Sequence, residues 1–143
     1  MEKWKIYAFV SAIFAGLTSV VAKAGLKTLS ADLGLAVRSV FVCLFVIANL
    51  FLWGNASIAP LRAASGKSIA LLALSALTTT ISWVCYYRAM KDGTVSFVSL
   101  VDKGSIIVTL SLSVMLLGEP FTWRIAGGAT LIIAGLLVLM GGK

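Results

Sequence analysis

The sequence has no histidine, only two prolines and two cysteines, and five acidic residues against twelve basic ones. The absence of histidine removes the commonest metal ligand and the commonest general base. Cys43 and Cys85 lie in apolar runs without CxxC spacing, which does not favour a metal site or a redox centre. We therefore expect no metal ion, no cofactor and no enzymatic activity.

Apolar residues are abundant instead, because 60% of the 143 residues are hydrophobic and only 12% are charged. The mean hydropathy is +1.06, which is typical of a membrane protein rather than a soluble domain of this length. Four uncharged runs of 17, 23, 20 and 18 residues separate basic residues, and a membrane span needs about 20. A fifth run, from Gly93 to Gly118, is interrupted only by Asp102 and Lys103.

The five runs predict an all-α integral membrane bundle that forms a single domain over residues 1–143. The predicted helices cover about 4–24, 33–53, 68–90, 95–117 and 121–140. The first run is interpreted as a span rather than a cleaved signal peptide because Lys23 and Lys27 follow it. Loops and tails are too short for a soluble catalytic or nucleic-acid-binding domain. We expect no nucleic-acid partner, and anionic lipid headgroups are the simpler explanation for the basic charge.

Five charged residues from four predicted helices fall in the half of the membrane opposite the N-terminus. They are Lys23, Arg38, Arg88, Asp102 and Lys103. Charge inside a membrane usually faces a bundle interior or an aqueous cavity, so we expect these side chains to converge on a transport pathway. For Lys23 and Arg88 the alternative is that each side chain extends to the headgroups.

Polar side chains recur at helical spacing on the third and fourth predicted helices. One stripe contains Ser75, Thr79, Ser82 and Tyr86, and the other contains Ser99, Asp102, Thr109 and Ser113. The two stripes could line one cavity, although serine and threonine hydroxyls can also bond to carbonyls of their own helix. The predicted substrate-binding residues are Lys103, Asp102, Arg38, Tyr86, Trp83, Lys23, Arg88 and Ser99.

Asp102 and Lys103 are adjacent, and adjacent helical residues point about 100° apart. We therefore expect each to need its own partner, with Arg38 pairing with Asp102. Lys103 is then left to bind an anionic group. Because the converging charges are net positive, the expected solute is anionic or zwitterionic.

Several segments resemble the EamA family of the drug/metabolite transporter superfamily, and in particular its short five-helix bacterial and archaeal members. They are Ala22–Lys27 (AKAGLK), Arg38-Ser39, Ser82–Met90 (SWVCYYRAM), Asp102-Lys103 and Leu117–Glu119 (LGE). The resemblance implies secondary transport of small metabolites. Larger relatives contain two such units in inverted orientation around a central cavity, so one unit implies assembly from two chains. The resemblance implies no particular solute.

The leading interpretation is a transporter in the cell (inner) membrane that works by alternating access. An accessory subunit that packs against a larger membrane protein is the main alternative. An uncoupled pore and an intramembrane enzyme are less favoured, since Asp102 and Glu119 are separated by most of a helix.

Five basic residues lie on each side of the membrane, which predicts no orientation preference and an antiparallel homodimer. If Lys23 and Arg88 are not counted, five basic residues lie on the N-terminal side of the membrane and three on the opposite side. This distribution favours a cytoplasmic N-terminus.

Overall fold

A computed structural model of the protein describes residues 2–53 and 59–141. Within these ranges every regular element is an α-helix, so the predicted all-α class is confirmed. The helices are α1 (Lys3–Gly25), α2 (Ala31–Leu52), α3 (Ala59–Ala63), α4 (Gly66–Asp92), α5 (Val95–Lys103), α6 (Ser105–Leu117) and α7 (Trp123–Gly141).

The long helices reproduce the predicted spans, with bounds within two residues of those expected. Within the residues that the structure describes, four spans are long and apolar enough to cross a membrane: α1, α2, α4 and the consecutive pair α5 and α6. The apolar stretch of α7, Trp123–Leu139, is shorter. The short helix α3 lies between the second and third predicted spans, where no helix was predicted.

Local caps fix several helix ends. The Ser30 side chain accepts from the Leu33 amide at 3.3 Å at the start of α2, and Thr94 accepts from the Phe97 amide at 3.4 Å at the start of α5. The helix α6 ends where Gly118 takes a left-handed conformation, with φ of 66°. Glycine adopts this conformation without the steric cost that other residues incur.

Two compact units make up the chain. The central unit is Val20–Asp92, in which α2 packs along α4. The terminal unit combines Met1–Ser19 with Gly93–Lys143, and in it α5 contacts α6 and α7. The prediction of a single domain stays a prediction.

Few side chains are buried in the described part of the chain. In the central unit the buried residues are Leu26, Leu35, Tyr87 and Met90, and in the terminal unit Val98 is buried. Of these residues, Leu26 directly follows α1 and Leu35 lies in the second turn of α2. Most large apolar side chains are exposed, as expected where lipid rather than water is the solvent.

Candidate functional site

The fourth span is interrupted next to its charged residues. Gly104 separates α5 from α6, whereas the sequence predicted one helix over 95–117. The Gly104 amide donates to the Val101 carbonyl at 2.9 Å, and the Ile107 amide donates to the Gly104 carbonyl at 3.1 Å. These bonds join residues three apart and tighten the helix locally.

Glycine is required at this break because there is no room for a side chain. A Cβ at position 104 would lie 2.9 Å from the Val101 carbonyl oxygen and 3.2 Å from Cδ1 of Leu136 on α7. The first of these atoms belongs to the main chain and cannot rotate away. The break and the approach of α7 therefore depend on the same residue.

Asp102 and Lys103 form an ion pair immediately before the break, with Lys103 Nζ 3.5 Å from Asp102 Oδ2. The expectation that these neighbours need separate partners is therefore wrong. The four-carbon lysine side chain is long enough to fold back toward the preceding residue at the end of α5. The predicted pairing of Asp102 with Arg38 would join the two units, and it stays a prediction.

Lys103 also lines a cavity of about 540 Å³ in the terminal unit. Ser105 and Thr109 are its other polar lining residues. Apolar residues of α5, α6 and α7 complete the wall: Leu100, Ile106, Leu131, Ile132, Gly135 and Leu136. Ser99 is half-buried on α5, one turn before Asp102. The terminal unit thus contains an apolar cavity with one ammonium group at its wall.

Two lysines of the central unit each donate hydrogen bonds to main-chain carbonyls near the other lysine. Lys23 Nζ, near the end of α1, donates to the carbonyls of Met90 at 2.5 Å and Lys91 at 3.0 Å. Lys91 Nζ, near the end of α4, donates to the carbonyls of Leu26 at 2.7 Å and Leu29 at 2.8 Å. The last carbonyls of a helix lack partners within it, so each lysine supplies donors that the other segment needs.

Arg88 forms a bidentate pair with Asp32, in which Nε lies 3.0 Å from Oδ1 and a terminal nitrogen lies 3.2 Å from Oδ2. Both side chains are largely exposed. Asp32 was not among the predicted site residues, and neither was Lys91. The contacts of Lys23 and Arg88 described here stabilise the helix ends, and contact of either residue with a solute stays a prediction.

Arg38 lies against aromatic rings. Its guanidinium carbon is 4.4 Å from the ring centre of Trp83 and 5.9 Å from that of Tyr87. The Tyr86 ring lies 6.4 Å from the Tyr87 ring. Trp83 and Tyr87 are one helical turn apart on α4, so they present one face to the cation. This i, i+4 spacing was a signal in the sequence, and it could have identified the aromatic partners of Arg38.

Several hydroxyls of the two predicted stripes bond to their own helix. Thr79 Oγ1 donates to the Ser75 carbonyl at 2.9 Å, and Thr109 Oγ1 donates to the Ser105 carbonyl at 3.1 Å. Ser113 Oγ donates to the Leu110 carbonyl at 3.3 Å. These hydroxyls retain lone pairs as acceptors, but their protons are used within the helix.

The long apolar helices, with an ion pair and a helix break inside one span, define a multi-pass helical membrane protein. Comparison with known proteins identifies its family. Residues 2–141 match the EamA-like transporter family, and the chain belongs to that family. The resemblance noted in the sequence is thereby confirmed, and the protein is a membrane transporter.

A relative in Sinorhizobium sp, described as "Uncharacterized transporter in cobO 3'region", is 35% identical over 141 residues. The alignment covers 96% of this chain and 96% of the relative. No solved structure matches the chain.

Proposed function

We propose that this protein is a secondary transporter of small anionic or zwitterionic metabolites in the cell (inner) membrane. Two antiparallel copies form the working unit and open a shared site alternately to each side. Membership in a transporter family supports the general function, and the position of Lys103 supports the preference for anions.

The observation that carries the proposal is the ammonium group of Lys103 on a cavity wall beside the break at Gly104. Lys103 is eight residues from the start of α5, roughly 12 Å along the helix. Transporters commonly build their sites where a span is discontinuous near the middle of the membrane. Asp102 pairs with Lys103, and a solute carboxylate or phosphate can replace Asp102 as its partner.

Three arguments support the dimer. The family resemblance implies a site built from two units in inverted orientation, and the Sinorhizobium relative aligns with this chain over 96% of its own length. The predicted topology places five basic residues on each side of the membrane. Most large apolar side chains are exposed in the described chain, which leaves surface for a second copy as well as for lipid.

Counterflow in liposomes that contain only the purified protein tests the proposal. We expect exchange of anionic and zwitterionic solutes and little exchange of lipophilic cations. Exclusive transport of cations would contradict the charge argument. Exchange that requires a second membrane protein would support the accessory-subunit alternative instead.

A further inference from the structure

We propose that Arg38, held against Trp83 and Tyr87, binds the carboxylate of a monocarboxylic acid whose apolar body occupies the cavity between α2 and α4. The role of this site in transport rests on the proposed function, because the site defines a class of substrate. The binding itself can be measured without transport.

The central unit has an excess of positive charge that its own acids do not neutralise. It contains seven basic residues but only two acidic ones, Asp32 and Asp92. Asp32 is engaged by Arg88 through both of its oxygens. Asp92 is exposed and is the last residue of α4. Among the described residues of the central unit, none forms an ion pair with Arg38.

Arg38 also lies within a membrane span, where an unneutralised cation is costly. It is seven residues from the start of α2, roughly 10 Å along the helix. The rings of Trp83 and Tyr87 offset part of this cost through their electron-rich faces. They do not replace a counter-charge, so an anion that enters this region gains a favourable partner.

The aromatic contact leaves the guanidinium able to bind an anion through its edge. When a guanidinium stacks on an aromatic ring, the contact uses the face of the guanidinium, whereas its N–H donors lie in the plane of the group. Two of these donors match the two oxygens of a carboxylate and form parallel hydrogen bonds. A lysine at position 38 would keep the charge and lose this geometry.

A cavity of about 500 Å³ between α2 and α4 includes Trp83 in its wall. Trp83, one of its lining residues, also contacts the Arg38 guanidinium. The other lining residues are mainly apolar: Leu35, Ser39, Val42, Cys43, Val46, Ile47, Ala76 and Thr80. The hydroxyls of Ser39 and Thr80 donate to the Leu35 and Ala76 carbonyls at 2.8 Å. A cavity of this size and lining suits an aliphatic or aromatic body rather than a second charge.

Trp83 provides a direct measurement of binding. Trp4, Trp53 and Trp123 are 64%, 80% and 90% exposed, so their replacement by phenylalanine leaves a folded protein with Trp83 as its sole indole. This single-tryptophan protein, in lipid nanodiscs, is titrated with pentanoate, pentylamine, 1-pentanol and inorganic phosphate. We expect a saturable change in Trp83 emission with pentanoate and none with pentylamine or pentanol.

In the same background, Arg38→Lys should weaken pentanoate binding by about 10-fold or more, since the bidentate pair is lost. Arg62→Lys is the matched control, because Arg62 is exposed on α3 and should leave binding unchanged. Equal affinity of the parent and Arg38→Lys proteins would overturn the proposal. A response to phosphate alone would overturn the assignment of a carboxylate.

Asp102→Asn tests the competing possibility that Asp102 neutralises Arg38. If pentanoate changes Trp83 emission only after that substitution, Arg38 is already paired and the proposal is wrong. The proposed function can fail separately. Pentanoate binding without counterflow of any solute would support the carboxylate site and contradict the transport function. Counterflow that is unaffected by Arg38→Lys would support the transport function and contradict the carboxylate site.

Discussion

At the scale of single residues, Lys103 is the best test of the transport mechanism. Lys103→Gln removes the ammonium from the cavity wall and leaves the side chain nearly the same length. We expect a folded protein whose counterflow of anionic solutes falls by about 10-fold or more, because a charge-assisted hydrogen bond to a solute contributes about 1.5–3 kcal/mol. Liposome counterflow and thermal unfolding measure the two effects separately.

Lys27→Gln is the control, since Lys27 is exposed and lies between α1 and α2. It removes the same charge without changing the cavity. If the Lys103→Gln protein is as active as the Lys27→Gln protein, Lys103 takes no part in the transport mechanism. Asp102→Asn should reduce stability only modestly, because the ion pair with Lys103 is partly exposed.

Lys23 and Lys91 give a prediction for stability rather than transport. Replacing either with methionine keeps much of the apolar stem and leaves two carbonyls without their ammonium donor. We expect each variant to lose about 1–3 kcal/mol of unfolding free energy, as is usual when buried polar groups lose their partners. Thermal or denaturant unfolding in detergent micelles would measure this loss. Lys27→Met should change stability little, and an equal effect of Lys27→Met and Lys23→Met would show that the carbonyl contacts contribute nothing.

The sequence identified most of these residues but not their partners. Lys23, Arg38 and Arg88 were recognisable because charge is rare in apolar spans. The acceptors of Lys23 are main-chain carbonyls 67 and 68 residues away, and a carbonyl has no signature in a sequence. Asp32 was overlooked because it lies at the first turn of α2, where an acidic residue is ordinary.

At the scale of the helices, the length of apolar runs predicted the spans well, since a hydrocarbon layer of fixed thickness demands runs of fixed length. The break at Gly104 was not predicted, because glycine is tolerated in membrane helices and hydropathy does not report backbone geometry. At the break, Gly104 lies close to the Val101 carbonyl three residues earlier and to Leu136 on α7, and the approach of α7 is a tertiary feature.

Gly104→Ala should therefore disturb the break. Its Cβ must displace the Val101 carbonyl or move α7, and overpacking of this kind typically costs about 1–3 kcal/mol. We expect a lower unfolding temperature and weaker counterflow. Gly16→Ala on α1 is the control, because no atom outside its own helical turn lies within 4 Å of the place where the added methyl group would sit, and alanine favours a helix. Equal stability of the two variants would show that the break does not require glycine.

At the scale of the whole molecule, the proposed antiparallel dimer requires that the chain insert in both orientations. Cys43 and Cys85 are first replaced by alanine, and single cysteines are then placed at Lys27 or Ser65, which the predicted topology places on opposite sides of the membrane. We expect an impermeant thiol reagent to label about half of each population in intact cells, because the positive charge is balanced.

Labelling at only one of these positions would contradict dual insertion. A second experiment adds two lysines to one loop between helices, so that the chain inserts in a single orientation. That variant alone should lose transport, and co-expression with a variant biased the other way should restore it. Full activity of either biased variant alone would exclude an antiparallel working unit.

The reciprocal hydrogen bonds of Lys23 and Lys91 also affect the local unfolding of the helix ends. The end of α1 cannot fray without removing donors from the end of α4, and the reverse is equally true. Local opening at two places more than sixty residues apart in sequence thus becomes one cooperative event. Amide protons around Leu26 and Met90 should then exchange with deuterium at a common rate, and removal of either lysine should let the two ends open independently.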